Sequence, residues 1–157
     1  MDKVNRIFKN TGILASLLII LSVLLFASSN AIAGNDINIT VITILASEKG
    51  NSVDPKLKGL VRELQSVFRY SSYDSLGEKR VRISLNKKGI VSLPGQRVMN
   101  IVASGIEGSR VVLEIEILEN KRRVFQTVTK LNNNKSFTMG GPKYKDGTLL
   151  FNIFASF

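Results

Sequence analysis

The second half of the chain is a series of short β-forming segments separated by turn residues. Each segment is rich in β-branched or aromatic residues, and the separators include Pro94-Gly95, Asn132-Asn133-Asn134 and Asp146-Gly147. Gly, Asn and Pro favour the backbone angles of tight turns, so these separators mark chain reversals. Short strands at this spacing favour antiparallel hairpins assembled into a sandwich or half-barrel. The predicted strands are residues 79–85, 89–93, 97–104, 110–118, 123–131, 136–139 and 148–155.

Two of these strands carry patterns that predict their place in the fold. Between residues 111 and 117, apolar residues at odd positions alternate with Glu114 and Glu116, which indicates one buried face and one solvated face. Residues 149–154 are apolar on both faces apart from Asn152. That pattern is typical of a central strand covered on both sides.

One strand and one helix are predicted before this series. Residues 37–46 are rich in Ile, Val and Thr, as in a strand with a buried face. Asp54-Pro55 supplies an N-cap and a favourable first helical residue, and apolar residues at positions 57, 60, 61, 64 and 68 form one helical stripe. We therefore predict a helix over 55–68 packed on the apolar face of the sheet. The fold class is α+β, mostly β: an antiparallel sheet or sandwich of about seven to eight short strands with one amphipathic helix packed on it.

Residues 1–33 have the three-part pattern of a secretory signal peptide. Basic residues precede an uncharged apolar run over 13–27, and small residues follow in Ala31-Ile32-Ala33. As a helix the run is about 22 Å long, shorter than the hydrocarbon core of about 30 Å. We expect cleavage after Ala33, which leaves a single exported β-rich domain, residues 34–157, with no stable membrane span.

The exported domain is basic. The leader holds three of the 22 basic residues and one of the 12 acidic residues, so residues 34–157 keep 19 and 11 and a net charge near +8. Outside the cytoplasm the available polyanions are lipid headgroups, acidic envelope polymers and acidic proteins. We expect a location in the periplasm or on the outer surface of a bacterium, a partner that is an envelope protein or anionic polymer, and no nucleic-acid partner.

The chain contains neither cysteine nor histidine. Small secreted domains often depend on disulfides, whereas residues 34–157 are numerous enough to bury a core without them. Histidine is the commonest general base at neutral pH and the commonest metal ligand. We therefore expect no catalytic residue, no metal site and no small-molecule cofactor.

Three groups of basic and aromatic residues provide a candidate binding surface. One lies between predicted strands at 121–123, and one follows the predicted helix at 69–70. The third belongs to residues 139–147, whose glycines and Pro142 predict a tight basic hairpin with one exposed tyrosine. Solvated faces and charged edge strands are the competing explanation for such residues. The candidate binding residues are Lys121, Arg122, Arg123, Lys143, Tyr144, Lys145, Arg69 and Tyr70.

Glu114 and Glu116 supply an alternative function. Residues two apart on a strand share a face, with roughly 6.6 to 6.8 Å between them, and paired carboxylates catalyse glycoside hydrolysis. Ion pairing with Arg110 and with residues 121–123 across a hairpin is the simpler explanation, and we favour it. Hydrolysis of an anionic envelope polymer is the alternative.

Residues 111–141 contain paired amphipathic strands, the run Thr127-Val128-Thr129-Lys130-Leu131, an Asn-rich turn, and Ser136-Phe137-Thr138-Met139-Gly140-Gly141. This order resembles the β-domain of secretins, the outer-membrane rings of secretion and pilus systems. The match covers about a fifth of the chain, and the chain lacks the periplasmic modules and long spanning strands of a secretin, so we do not expect a pore. Residues 68–73, 92–95 and 140–142 also resemble small exported bacterial domains of unassigned function. The sequence thus predicts a non-enzymatic interaction domain that binds another envelope component through a basic surface.

Overall fold

The computed structural model describes residues 36–157, and the predicted signal peptide lies outside the described residues. These residues belong to one compact unit, Gly34–Phe157. None of their helices is long and apolar enough to cross a lipid bilayer. The strands are β1 (Ile37–Ser47), β2 (Ser72–Ile83), β3 (Lys88–Leu93), β4 (Arg97–Glu107), β5 (Arg110–Glu119), β6 (Arg122–Asn132), β7 (Lys135–Tyr144) and β8 (Gly147–Ser156).

The eight strands form two antiparallel sheets of four. The order is β2-β1-β8-β7 in the first sheet and β3-β4-β5-β6 in the second. Apolar side chains from both sheets make one core between them, including Ile39, Ile101, Leu113 and Phe151, each of which is fully buried. The predicted mostly β fold class is confirmed, and the arrangement is a sandwich.

The burial predicted for residues 111–117 and 149–154 is confirmed. In β5 the odd positions 111–117 are at most 1% exposed, whereas Glu114 is exposed and Glu116 is half-buried. Strand β8 lies between β1 and β7, and both of its faces are covered over most of its length. Asn152, its one polar residue at the centre, is buried and donates a hydrogen bond to the Thr138 hydroxyl over 2.9 Å.

The prediction of one helix over 55–68 is wrong in its continuity. A 3-10 helix, Pro55–Leu57, is followed by a separate α-helix, α1 (Val61–Val67). Gly59 lies between them, and glycine inside a helix costs about 1 kcal/mol relative to alanine. The Asp54 side chain caps the first piece by accepting a hydrogen bond from the Lys56 amide.

The apolar stripe of the predicted helix still packs on the sheet. Leu57 and Leu64 are fully buried against Ile44, Tyr73 and Leu150, and these residues belong to the first sheet. This second cluster lies on the face of the sheet opposite the main core, because neighbouring residues of a strand point to opposite faces. The helical segment therefore covers the outer face of the first sheet, and the second sheet covers its inner face.

The tight hairpin predicted within residues 139–147 is present, but Gly140-Gly141-Pro142 do not form its turn. These residues lie inside β7, and the chain reverses only at Lys145-Asp146, where Lys145 has a positive φ of 48°. Position 141 requires a glycine because there is no room for a side chain. A Cβ there would collide with the Phe151 ring and lie 2.9 Å from the Leu149 carbonyl oxygen.

Candidate functional site

Four connections lie at one end of the sandwich. They are the β3–β4, β5–β6 and β7–β8 turns and the loop that follows β1, because antiparallel neighbours bring these chain reversals to the same side. The candidate binding residues 121–123 and 143–145 lie at two of these reversals: Lys121 and Lys145 are in the turns, Arg122 and Arg123 begin β6, and Lys143 and Tyr144 end β7. We call this end, with residues 48–49, 69–70, 94–97, 119–123 and 143–148, the cationic end.

Arg97 joins three of the turns. Its Nη2 atom lies 2.7 Å from Glu119 Oε1 and donates a hydrogen bond to the Lys143 carbonyl oxygen over 3.4 Å. Its Nη1 atom donates to the Pro94 carbonyl oxygen over 3.3 Å. The side chain is only 10% exposed, so the guanidinium is an internal tie between the two sheets. Charge-assisted hydrogen bonds of this kind are among the stronger ones in proteins.

Tyr70 connects the helical segment to the same end. Its hydroxyl lies 3.0 Å from the Thr148 hydroxyl, which stands directly after the β7–β8 turn. The Tyr70 and Tyr73 rings meet edge to face with 6.5 Å between centroids, and the Tyr73 hydroxyl donates a 2.6 Å hydrogen bond to the Phe68 carbonyl. Burial raises the pKa of the Tyr73 hydroxyl above its ordinary value. These contacts hold the exposed Arg69 beside the hairpin.

The predicted binding residues differ in exposure. Both tyrosines are half-buried, because Tyr144 packs against the main core and Tyr70 against the second cluster. The prediction of an exposed tyrosine on the hairpin is therefore wrong. The Lys145 ammonium lies 5.5 Å from the Tyr144 ring centre, a cation–π distance. The charged candidates are all exposed: Arg69, Lys121, Arg122, Arg123, Lys143 and Lys145.

Salt bridges use only some of the charges at this end. Lys49 pairs with Asp146 over 3.2 Å and Arg97 pairs with Glu119, which neutralises two of the acids present. Within residues 36–157, none of the six exposed charged candidates forms a salt bridge. The cationic end thus keeps a large excess of unpaired positive charge.

Two residues of the cationic end were missed by the sequence analysis. Lys49 lies in a polar loop, and Arg97 stands at a strand start after Pro94-Gly95. Neither position has a periodic or motif signal, because each owes its role to a contact between distant parts of the chain. Lys49 meets Asp146 from 97 positions away.

Glu114 and Glu116 lie elsewhere, on the outer face of the second sheet. They line a shallow depression of about 160 Å³ together with Asn100, Val102 and Gln126. Glu116 accepts a 2.7 Å hydrogen bond from the buried Asn100 amide. The expected ion pairs with Arg110 and residues 121–123 are absent within residues 36–157; Glu114 faces Val128 and Val102 across the sheet instead.

Comparison with known proteins found no matching family model, no matching curated protein and no matching solved structure. The resemblance of residues 111–141 to the secretin β-domain stays a prediction.

Proposed function

We propose that this protein is a non-enzymatic interaction domain of the bacterial envelope, exported by its leader, that binds an acidic envelope protein or anionic polymer through the cationic end. The observation that supports the proposal is the pair of contacts that the Arg97 guanidinium makes with Glu119 and with the Lys143 carbonyl. It brings the β5–β6 and β7–β8 turns, more than twenty residues apart in sequence, to one place on the surface.

The electrostatics of this surface favour an anionic partner. Lys121, Arg122 and Arg123 are consecutive and exposed, and Lys143 and Lys145 lie at the end of β7 and in the β7–β8 turn. A concentration of unpaired positive charge attracts polyanions and accelerates their association, and salt weakens the attraction. Hairpin turns are also suited to recognition, because a rigid sheet holds them in place.

A hydrolase that uses Glu114 and Glu116 is the second candidate. Both carboxylates line one depression, which is the observation in its favour. The depression is smaller than the roughly 300–1,000 Å³ of typical small-molecule sites, and Glu116 is engaged by Asn100. A Glu114→Gln, Glu116→Gln variant tests it: loss of polymer cleavage with retained polymer binding supports a hydrolase, and absence of cleavage by the wild type contradicts it.

Cosedimentation with isolated bacterial envelopes tests the binding proposal. The triple variant Lys121→Glu, Arg122→Glu, Arg123→Glu is compared with the wild type at about 0.1 M and about 0.5 M salt. We expect at least a tenfold loss of bound protein for the variant at low salt, and a similar loss for the wild type at high salt.

A matched control reverses three charges away from the cationic end. Lys58, Lys87 and Lys88 are exposed and form no salt bridge within residues 36–157, so Lys58→Glu, Lys87→Glu, Lys88→Glu changes the net charge equally. We expect this variant to bind envelopes within about threefold of the wild type. Equal losses for the two variants would show that net charge alone determines binding and would contradict a specific cationic end.

A further inference from the structure

Strand β6 has one free edge. It pairs with β5 on one side, and within residues 36–157 no strand pairs with its other side. In an antiparallel pair, alternate residues direct their N–H and C=O groups toward the neighbouring strand. The remaining residues of β6 therefore present a row of backbone donors and acceptors to solvent, which is a template for another strand.

The other three edges of the sandwich are obstructed. Strand β7 contains Pro142, which has no N–H, and a register shift between Gly140 and Lys143. Strand β2 has a register shift opposite Thr43 and Ile44, and its first part is bridged by Val53.

The fourth edge, β3, has six residues, and its Gly89 lies against the Ile83 and Val81 side chains of β2. Strand β6 has eleven residues and neither Pro nor Gly. Its one register shift is near its beginning, opposite Ile117 and Leu118, so residues 125–131 form a regular edge.

The side chains of β6 favour an acidic partner over a second copy of this chain. The strand has no acidic residue, and Arg122 and Arg123 are its first two residues. Arg122 and Arg123 are exposed and form no salt bridge within residues 36–157, and a second copy of β6 would supply only basic and neutral side chains, with no acid to pair with either arginine. Acidic residues of a partner strand opposite these arginines are stabilising, whereas like charges there are destabilising.

We propose that β6 binds an extended acidic segment of another polypeptide by strand addition. The segment pairs with residues 125–131 through its backbone, and its acidic residues lie beside Arg122 and Arg123. Val124 and Val128, which are 48% and 60% exposed, contact apolar side chains of the added strand. This inference rests on the proposed function, because it specifies how a protein partner reaches the cationic end.

Defined peptides test the inference on the purified protein. The first probe is a nine-residue peptide of alternating Val and Thr that ends in three Glu, and its control ends in three Lys. Fluorescence anisotropy should show at least tenfold tighter binding of the Glu peptide, and the triple variant Lys121→Glu, Arg122→Glu, Arg123→Glu should abolish that preference. Absence of binding by the Glu peptide would overturn strand addition.

Backbone methylation separates strand addition from simple charge attraction. Two versions of the Glu peptide are N-methylated at alternate residues, one at odd and one at even positions. Only one set of amides pairs with β6, so one version should bind like the parent and the other should bind at least tenfold more weakly. Equal binding of both versions, still dependent on residues 121–123, would overturn strand addition and leave the proposed function standing.

Amide hydrogen exchange identifies the edge that is used. The Glu peptide should slow exchange at alternate residues of 125–131 and leave β3 unchanged. Protection of β3 or β7 in place of β6 would overturn the assignment. Protection of β6 that grows with protein concentration in the absence of peptide would identify a second copy as the occupant and would also overturn it.

Discussion

Arg97 and Glu119 face each other across β4 and β5, and the Arg97 Nη2 atom lies 2.7 Å from Glu119 Oε1. The guanidinium side chain is 10% exposed and the glutamate side chain 35%. Because Arg97 also bonds to the carbonyls of Pro94 and Lys143, this pair connects the two sheets at the cationic end. Its Nε atom is buried without a hydrogen-bond partner within residues 36–157.

Replacement of Arg97 should destabilise the fold. Arg97→Ala leaves the Glu119 carboxylate and two carbonyls without their donor, which should lower the free energy of unfolding by about 2–3 kcal/mol in urea titrations. Arg82 is the control, because its side chain is 70% exposed and its nearest carboxylate oxygen lies 3.9 Å away. Arg82→Ala should cost less than about 0.5 kcal/mol. Similar losses for both variants would show that Arg97 is not a structural tie.

Two adjacent glycines of β7 should respond differently to the same substitution. Gly141→Ala places a methyl group against the Phe151 ring and the Leu149 carbonyl, and should cost about 1–3 kcal/mol in thermal or urea unfolding. At Gly140 the nearest atom to a new Cβ is Phe68 Cε1 at 3.8 Å, an ordinary van der Waals distance. Gly140→Ala should therefore be neutral or slightly stabilising. A neutral Gly141→Ala would contradict the close packing described for this strand.

Gly140 and Gly141 illustrate which features of this fold can be predicted from the sequence and which cannot. Alternation in β5 and the apolar character of β8 predicted buried faces correctly, because period-2 burial depends on local sequence alone. The position of Gly141 depends on Phe151, a residue of the next strand, so the sequence alone favoured a turn. Strand β2 begins at Ser72 rather than at the predicted residue 79, because pairing with β1 extends it through polar residues.

The candidate site was predictable in its residues but not in its geometry. The basic character of residues 121–123 and 143–145 is evident from composition. Their common location depends on strand order and on the buried Arg97 guanidinium, and no local pattern marks either one. The break of the predicted helix at Gly59 was only partly predictable from the sequence, because glycine weakens a helix but does not by itself end it.

Tyr73 should make the fold sensitive to alkaline pH. Burial raises the pKa of its hydroxyl above the ordinary value of 10.0, so the unfolded chain loses this proton before the folded one. The contribution of neutral Tyr73 to stability is complete below pH 10.0 and is lost as the pH rises through the folded pKa. Tyr73→Phe should lack this loss and should cost about 1–2 kcal/mol at neutral pH, because the Phe68 carbonyl loses its donor.

Urea unfolding as a function of pH measures both effects of Tyr73. The wild type and Tyr73→Phe should differ most at neutral pH, and their free energies of unfolding should converge above pH 10.0. Absorbance titration of the phenols should show that Tyr73→Phe removes a component that titrates above that pH. Parallel stability curves for the two proteins would contradict a raised pKa for Tyr73.

Glu107 and Lys130 provide the corresponding test at acid pH. The Lys130 ammonium donates a 2.7 Å hydrogen bond to Glu107 and, with its charge, holds the pKa of that carboxyl below its ordinary value of 4.5. The pair therefore stabilises the fold above pH 4.5, and this contribution is lost as the pH falls through the folded pKa. Carboxyl carbon shifts in an NMR titration should show the lowered pKa in the wild type and a higher pKa for Glu107 in Lys130→Met, where Arg110 is the remaining charge that lowers it. Because both side chains are about half exposed, at 48% and 51%, about 1 M salt should also raise the pKa of Glu107. An unchanged Glu107 titration in Lys130→Met would show that the two charges do not interact in solution.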